Sequence, residues 1–285
     1  MRRRLVALAV ALAGAAACGG GVMETGATGE RLPTLAEVSD AQWSALAQRR
    51  LFFGHQSVGD NIMQGMAEVL AAHPGMRLTI VESADPGEAP GLYHAKVGRN
   101  GYPMEKVDEL VRVTDRSFGG PGGVAMVKFC YADVQPNTDA AALFDRYRQR
   151  MEDLRARHPG LTIVHFTMPL KESESWRGVL TKRLTGTPLE RDRNAVRSRY
   201  NELLLARYAG KEPVFDIARM ESTRPDGLRL FLMRGADTAY TLVHEYTSDG
   251  GHLNESARRM VAEQFLIFLA RLSPTSVPAA APRTS

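Results

Sequence analysis

Short apolar runs alternate along this chain with stretches whose hydrophobic residues recur every three or four positions. Arg50-Leu51-Phe52-Phe53 reads as a first strand, and Ile62, Met66, Val69 and Leu70 follow at helical spacing. The β-branched run from Leu78 to Val81 predicts another strand. Pro103 opens a helix carrying Val107, Leu110 and Val111, since proline suits the first helical turn. Val124 to Phe129 is a continuous apolar run, followed by a helix from Ala140 to Arg157 with Leu143, Tyr147, Met151 and Leu154 on one face. Leu161 to Phe166, a basic helix from Leu189 to Tyr208, and a strand from Pro213 to Ile217 continue the alternation. A last helix, Asn254 to Leu272, presents Met260, Val261, Phe265, Phe268, Leu269 and Leu272. The stretch 218–247 keeps no period and predicts an insertion or lid. There is no internal repeat. Strands alternating with helices predict a three-layer α/β/α domain over residues 36–272 with a mostly parallel, about five-stranded sheet. Ligands of such sheets bind at the carboxyl ends of the strands.

The chain has 285 residues, and 36 basic against 32 acidic side chains give a net charge of +4. Arg2, Arg3 and Arg4 lie in a leader, so the body is close to neutral and carries no basic run for a nucleic acid. Leu5 to Ala17 is a short apolar stretch behind those arginines, which reads residues 1–17 as a signal peptide. Ala15-Ala16-Ala17-Cys18 resembles a bacterial lipobox, in which Cys18 is lipidated and becomes the new N-terminus. An export signal cut after Ala17, with Cys18 incidental, is the alternative. The expected location is the bacterial cell envelope, held to the membrane by a lipid on Cys18, or else secreted or periplasmic. Residues 18–35 read as a flexible tether and 273–285, rich in Pro, Ala, Ser and Thr, as a disordered tail. The body then has Cys130 as its single cysteine, so no internal disulfide is expected.

Two segments carry candidate chemistry. Ser248-Asp249-Gly250-Gly251-His252-Leu253-Asn254 sets an aspartate three residues before a histidine on a turn that enters the last helix. Phe52-Phe53-Gly54-His55-Gln56-Ser57-Val58-Gly59 sets a serine just past the first strand, on the expected ligand-binding rim. A serine hydroxyl becomes a nucleophile when a histidine takes its proton. A carboxylate then fixes the histidine tautomer and stabilises the imidazolium. Ser57, His252 and Asp249 are therefore the candidate triad. Ser57 would start a helix, where backbone N–H groups can hold an oxyanion. The plainer reading is that Ser57 caps that helix together with Asp60, that Asp249-Gly250 is only a turn, and that Asn254 is the N-cap of the last helix.

The order of elements, the early Gln56-Ser57 and the late Asp-x-x-His-Leu-Asn resemble the SGNH (GDSL-like) hydrolase superfamily over residues 48–272. Gln56-Ser57 is similar to the Gly-Gln-Ser-Asn motif of carbohydrate acetylesterases, with His55 in place of the motif glycine. The resemblance implies a flavodoxin-like SGNH fold and a serine ester hydrolase working through an acyl-enzyme. Its implied substrate is a small ester or an acylated glycan. It also implies a glycine N–H and an asparagine side chain in the oxyanion hole. Gly98 or Gly101, in Val97-Gly98-Arg99-Asn100-Gly101, matches the glycine, with Gly98 favoured. Ala132 stands where the asparagine is expected, after Cys130-Tyr131, so Asn100 or Asn137 would have to serve as the donor.

His55, Gln56 and Asp133 are candidate substrate contacts. His55, His94, His252, Asp133 and Asp249 lack tight ligand spacing, and no metal is expected. Lys128 inside an apolar strand is expected to snorkel or to pair with a carboxylate near the site. No Gly-x-Gly-x-x-Gly follows a strand and there is no Walker loop, so no nucleotide cofactor is expected. The chain is expected to act as a monomer. An O-acyltransferase with the same triad, or a non-catalytic surface binding protein on the same fold, are the alternatives.

Overall fold

The computed structural model describes residues 22–25, 31–118, 120 and 122–273. The expected signal peptide, Cys18 and most of the expected tether and tail lie outside the described residues. The elements in chain order are β1 (Met23–Thr25), α1 (Asp40–Ala47), β2 (Arg50–His55), α2 (Ser57–Ala72), β3 (Ile80–Glu82), β4 (Gly91–Lys96) and α3 (Pro103–Val113). There follow β5 (Val124–Val127), α4 (Ala140–Arg157), β6 (Thr162–Phe166), α5 (Trp176–Leu184) and α6 (Glu190–Tyr208). The chain closes with β7 (Val214–Phe215), α7 (Ile217–Ser222), β8 (Arg229–Arg234), β9 (Asp237–Tyr240) and α8 (Glu255–Arg271).

The main sheet has six strands in the order β3-β4-β2-β5-β6-β7, all parallel. Without the three-residue edge strand β3, the order by sequence is 2-1-3-4-5, the flavodoxin-like doubly wound arrangement. The expected fold class therefore stands, with one strand more than the expected five. The strand bordering β2 on one side is β4, whose Tyr93 and His94 pair with Phe52 and Phe53. No hydrophobic run announces it.

Alternation along β2 builds both faces. Phe53 enters the core with Ile62, Met66 and Val69 of α2 and Val261, Phe265 and Leu269 of α8. Phe52, its neighbour, enters the opposite core with Val107 and Leu110 of α3, Leu143 and Met151 of α4, and Tyr200 of α6. Strands buried on both faces have no solvent side to show, which is why β5 and β6 are buried throughout; β5 reads as an unbroken apolar run, and β6 adds buried Thr162 and His165. The expected fifth strand shortens to Val214–Phe215. Asp216 instead accepts from the Arg219 N–H at 3.1 Å and starts α7. The region 218–247 folds into α7 and the antiparallel β8–β9 hairpin, with β1 pairing outside β8. The hairpin docks on α6 through Tyr240 N–H to Ser198 Oγ, 3.0 Å. The helix α5 buries none of its residues.

The packing of α2 on α8 matters to the site, because each helix follows one of the two segments with candidate chemistry. A Cβ on Gly65 would lie 2.5 Å from the Arg258 carbonyl oxygen and 2.8 Å from Ala262 Cβ. Gly65→Ala must push α2 off α8 and should destabilise the protein by about 1–3 kcal/mol, the usual penalty of overpacking. Urea unfolding would show it as a lower midpoint at unchanged slope; a midpoint equal to wild type would mean the two helices separate freely.

Candidate active site

The first turn of α2 follows β2 at the carboxyl edge of the sheet, where the strand order reverses. Gln56 is the N-cap residue in extended conformation, and no side chain caps the helix. Ser57 is the first helical residue and its hydroxyl is free of the capping duty that sequence alone allowed. Its N–H is one of the four helix-start donors that have no intrahelical acceptor.

The second segment forms a tight loop closed by a bridge between Thr247 and Leu253. Asp249 Oδ2 lies 2.6 Å from His252 Nδ1. Its other oxygen accepts the N–H groups of Gly251 and His252 at 2.9 and 2.8 Å. Partial burial works against ionisation of Asp249. The hydrogen bonds from the His252 ring and from the two N–H groups outweigh it and hold the carboxyl well below the usual carboxylate range. An ionised carboxylate at Nδ1 assigns the proton to Nδ1 and leaves Nε2 as the basic nitrogen. Asn254 caps α8, accepting from Ala257 N–H at 3.1 Å.

The two segments meet. Asn61, one turn along α2 from Ser57, accepts the Leu253 N–H through its Oδ1 at 3.1 Å. Tyr131 joins them, its hydroxyl 3.3 Å from His252 Nε2 and in the neighbourhood of the Ser57 side chain. The structure therefore brings Ser57, Tyr131, His252 and Asp249 to one rim. Tyr131 carries no sequence signal of its own; its place, just after the strand next to β2, was the available clue.

The loop after β4 faces the same edge. Gly98 has φ +58°, and a Cβ there would lie 2.7 Å from Lys106 N, so glycine is required. Gln56 Nε2 donates to the carbonyls of Val97 and Gly98 at 3.0 and 2.8 Å. Gln56 thus spends its amide tying this loop to the start of α2 rather than facing a substrate. Gly101 N–H is also taken, donating to Asp133 Oδ1 at 2.9 Å, so it is no oxyanion donor. Asn100 and Asn137 are exposed on their loops.

Two further expected substrate contacts lie inside the protein. Asp133 is buried, with its carboxylate 2.6 Å from the equally buried Lys106 Nζ. It accepts Cys130 N–H at 2.7 Å and so clamps the 97–101 loop to the turn carrying Tyr131. His55 is 1% exposed, stacked on His94 and tilted against Phe53, with Nε2 3.0 Å from His94 Nδ1. Burial, then the Lys128 and His94 charges, push His55 down to about 3, so it stays neutral and supports the helix start from beneath. Lys128 does not snorkel. It is fully buried, donates to Phe129 O at 3.1 Å, and faces Glu221, whose carboxyl burial pushes up to about 8.

The site is open. The side chains of Asp249 and His252 are 56% and 39% exposed. Cavities of about 760 and 920 Å³ lie elsewhere, against β7 and α8 and between α1 and the end of α2.

No family model and no curated protein matches this chain. Solved structures do resemble it. A GDSL-like lipase from Bacteroides thetaiotaomicron VPI-5482 is 12% identical, with a TM-score of 0.46, over 81% of this chain and 96% of its own. An acetyl esterase mutant with acetate ion is 13% identical, with a TM-score of 0.41, over 78% and 97%. The periplasmic domain of a lipopolysaccharide acetyltransferase from Salmonella ser. Paratyphi A is 13% identical, with a TM-score of 0.39, over 77% and 83%. The solved structures this chain is similar to thus include a lipase, an esterase and an acetyltransferase domain, while the roles of its own residues rest on its own geometry.

Proposed function

We propose that this chain is a serine ester hydrolase of the SGNH type. The observation that carries the reading is the 2.6 Å Asp249–His252 pair, whose free ring nitrogen lies 3.3 Å from the Tyr131 hydroxyl on the rim where Ser57 starts a helix. Ser57 attacks the acyl carbon as His252 gains a proton. Asp249 holds the imidazolium in place, and His252 then protonates the leaving alcohol. The Ser57 and Gly98 N–H groups hold the developing oxyanion at the positive end of α2. Water clears the acyl-enzyme by the same base.

A catalytic pair this exposed suits a small acyl group on a bulky alcohol, and we assign acylated glycans as the substrate class. The chain is exported and held to the envelope membrane by a lipid on Cys18; mass spectrometry of the native N-terminus showing an unmodified Cys18 would refute this anchor. The enzymatic reading is tested with a fluorophosphonate probe. Wild-type protein should label and Ser57→Ala should not, with hydrolysis of p-nitrophenyl acetate falling at least about 10³-fold. Equal labelling of both proteins removes the triad.

A further inference from the structure

We propose that Tyr131 is a catalytic residue, the proton bridge between Ser57 and His252. This rests on the triad reading above and adds a member to it.

The geometry puts the phenol beside both nucleophile and base: its hydroxyl reaches His252 Nε2 at 3.3 Å and neighbours the Ser57 side chain. The phenol is held there firmly. Arg197, itself buried, donates through Nε and one terminal nitrogen to the Tyr131 carbonyl at 2.9 and 2.7 Å. The ring meets the His252 ring edge-on at 5.8 Å between centroids and packs beside Gly251, with the Lys171 ammonium 5.3 Å from its centroid.

A hydroxyl is both donor and acceptor, so it can pass a proton on without storing charge. As Ser57 Oγ bonds to the acyl carbon, its O–H bond breaks and the proton moves to Tyr131 Oη. The phenolic proton moves in the same step to His252 Nε2. The carbonyl π electrons go to the oxyanion, and the positive charge ends on the imidazolium beside Asp249. On collapse the two protons retrace the path to the leaving alkoxide, and Tyr131 is neutral before and after. Half-burial, together with the nearby Cys130 and Asp249, raises the Tyr131 hydroxyl, in keeping with a group that never becomes a free phenolate.

The test compares full-length wild type, Tyr131→Phe and Ser57→Ala with p-nitrophenyl acetate, following the acylation burst. Tyr131→Phe keeps the ring and its packing but loses Oη. Its acylation rate should fall about 10²-fold, the lower range for a general acid–base step, at unchanged KM. In mixtures of H₂O and D₂O the wild-type acylation rate should fall along a curve, two protons being in flight, and that of Tyr131→Phe along a straight line. A fast Tyr131→Phe, or a linear wild-type dependence, overturns the bridge while an inactive Ser57→Ala leaves the triad standing. An active Ser57→Ala overturns both. The wild-type isotope curve needs no variant, so a poorly folded Tyr131→Phe does not rescue the idea.

Discussion

Asp249→Asn should retain the fold and lose about 10⁴-fold in kcat for ester hydrolysis, by the measure of other Ser-His-Asp triads. The carboxylate does two separable jobs. Oδ1 accepts the Gly251 and His252 N–H groups and shapes the loop, which an amide oxygen can also do. Oδ2 accepts from His252 Nδ1 and thereby leaves Nε2 free to take a proton. The amide NH₂ of asparagine would face Nδ1 as a donor, drive the ring proton to Nε2 and remove the base. The loop survives while the chemistry fails, so circular dichroism should change little and the unfolding midpoint should fall only by the contribution of the lost charge. The pH dependence has a definite sign. Asp249 has a lowered pKa in the folded protein. Its contribution to stability is present above the ordinary aspartate value, about 3.9, and is lost as pH falls through the lower folded value. At neutral pH it is ionised, so any loss of activity between pH 5 and 8 must come from another group. A variant that keeps a tenth of the wild-type rate would show that His252 needs no carboxylate partner.

The parts of this architecture that hydrophobic periodicity describes were legible; those that polar contacts build were not. Strands β2, β5 and β6 carry apolar runs at their centres because both faces are buried, and α4 and α8 show the 3.6-residue stripe of a helix with one buried side. Strand β4 pairs directly with β2, yet Gly91-Leu92-Tyr93-His94-Ala95-Lys96 holds no continuous apolar run, because His94 and Lys96 sit near the edge where the site lies. Its existence follows from pairing with β2 and β3, which no local window contains. The β8–β9 hairpin is stabilised by docking on α6, again a distant partner. In the site, Asp249 and His252 were readable because they lie three residues apart on one loop. Ser57 was readable because of its position after a strand. His55, Gln56 and Asp133 looked like substrate contacts because polar residues near a rim usually face solvent. Here each is consumed in holding loops together. Tyr131 is the converse: an aromatic residue in an apolar context reads as core, and only its distance to His252 shows otherwise.

The clamp built by Asp133 leads to the largest expected loss of stability. Its carboxylate and the Lys106 ammonium are both without solvent exposure and lie 2.6 Å apart. The carboxylate also accepts the Gly101 and Cys130 N–H groups at 2.9 and 2.7 Å. Asp133→Ala leaves a buried cation with the Arg99 carbonyl, 2.9 Å away, as its remaining hydrogen-bond partner, and orphans two backbone donors. Breaking a buried pair in this way costs about 3–5 kcal/mol, which for a domain of this size lowers Tm by roughly 10 °C. Removing both charges differs in kind, because a buried ion pair can be replaced by apolar residues at little cost. Asp133→Ala/Lys106→Met should therefore regain the part of the loss due to the unpaired buried charge, while the Gly101 and Cys130 N–H groups stay without their acceptor, and thermal unfolding of the two single variants and the double gives the coupling directly. Activity should not follow stability. In the double variant the carboxylate that ties the Gly98 loop to the turn bearing Tyr131 is gone, so ester hydrolysis stays low in a protein that melts above the Asp133→Ala single variant. If activity returned together with Tm, the clamp would matter only to folding, and the oxyanion loop would owe its position to Gln56 alone.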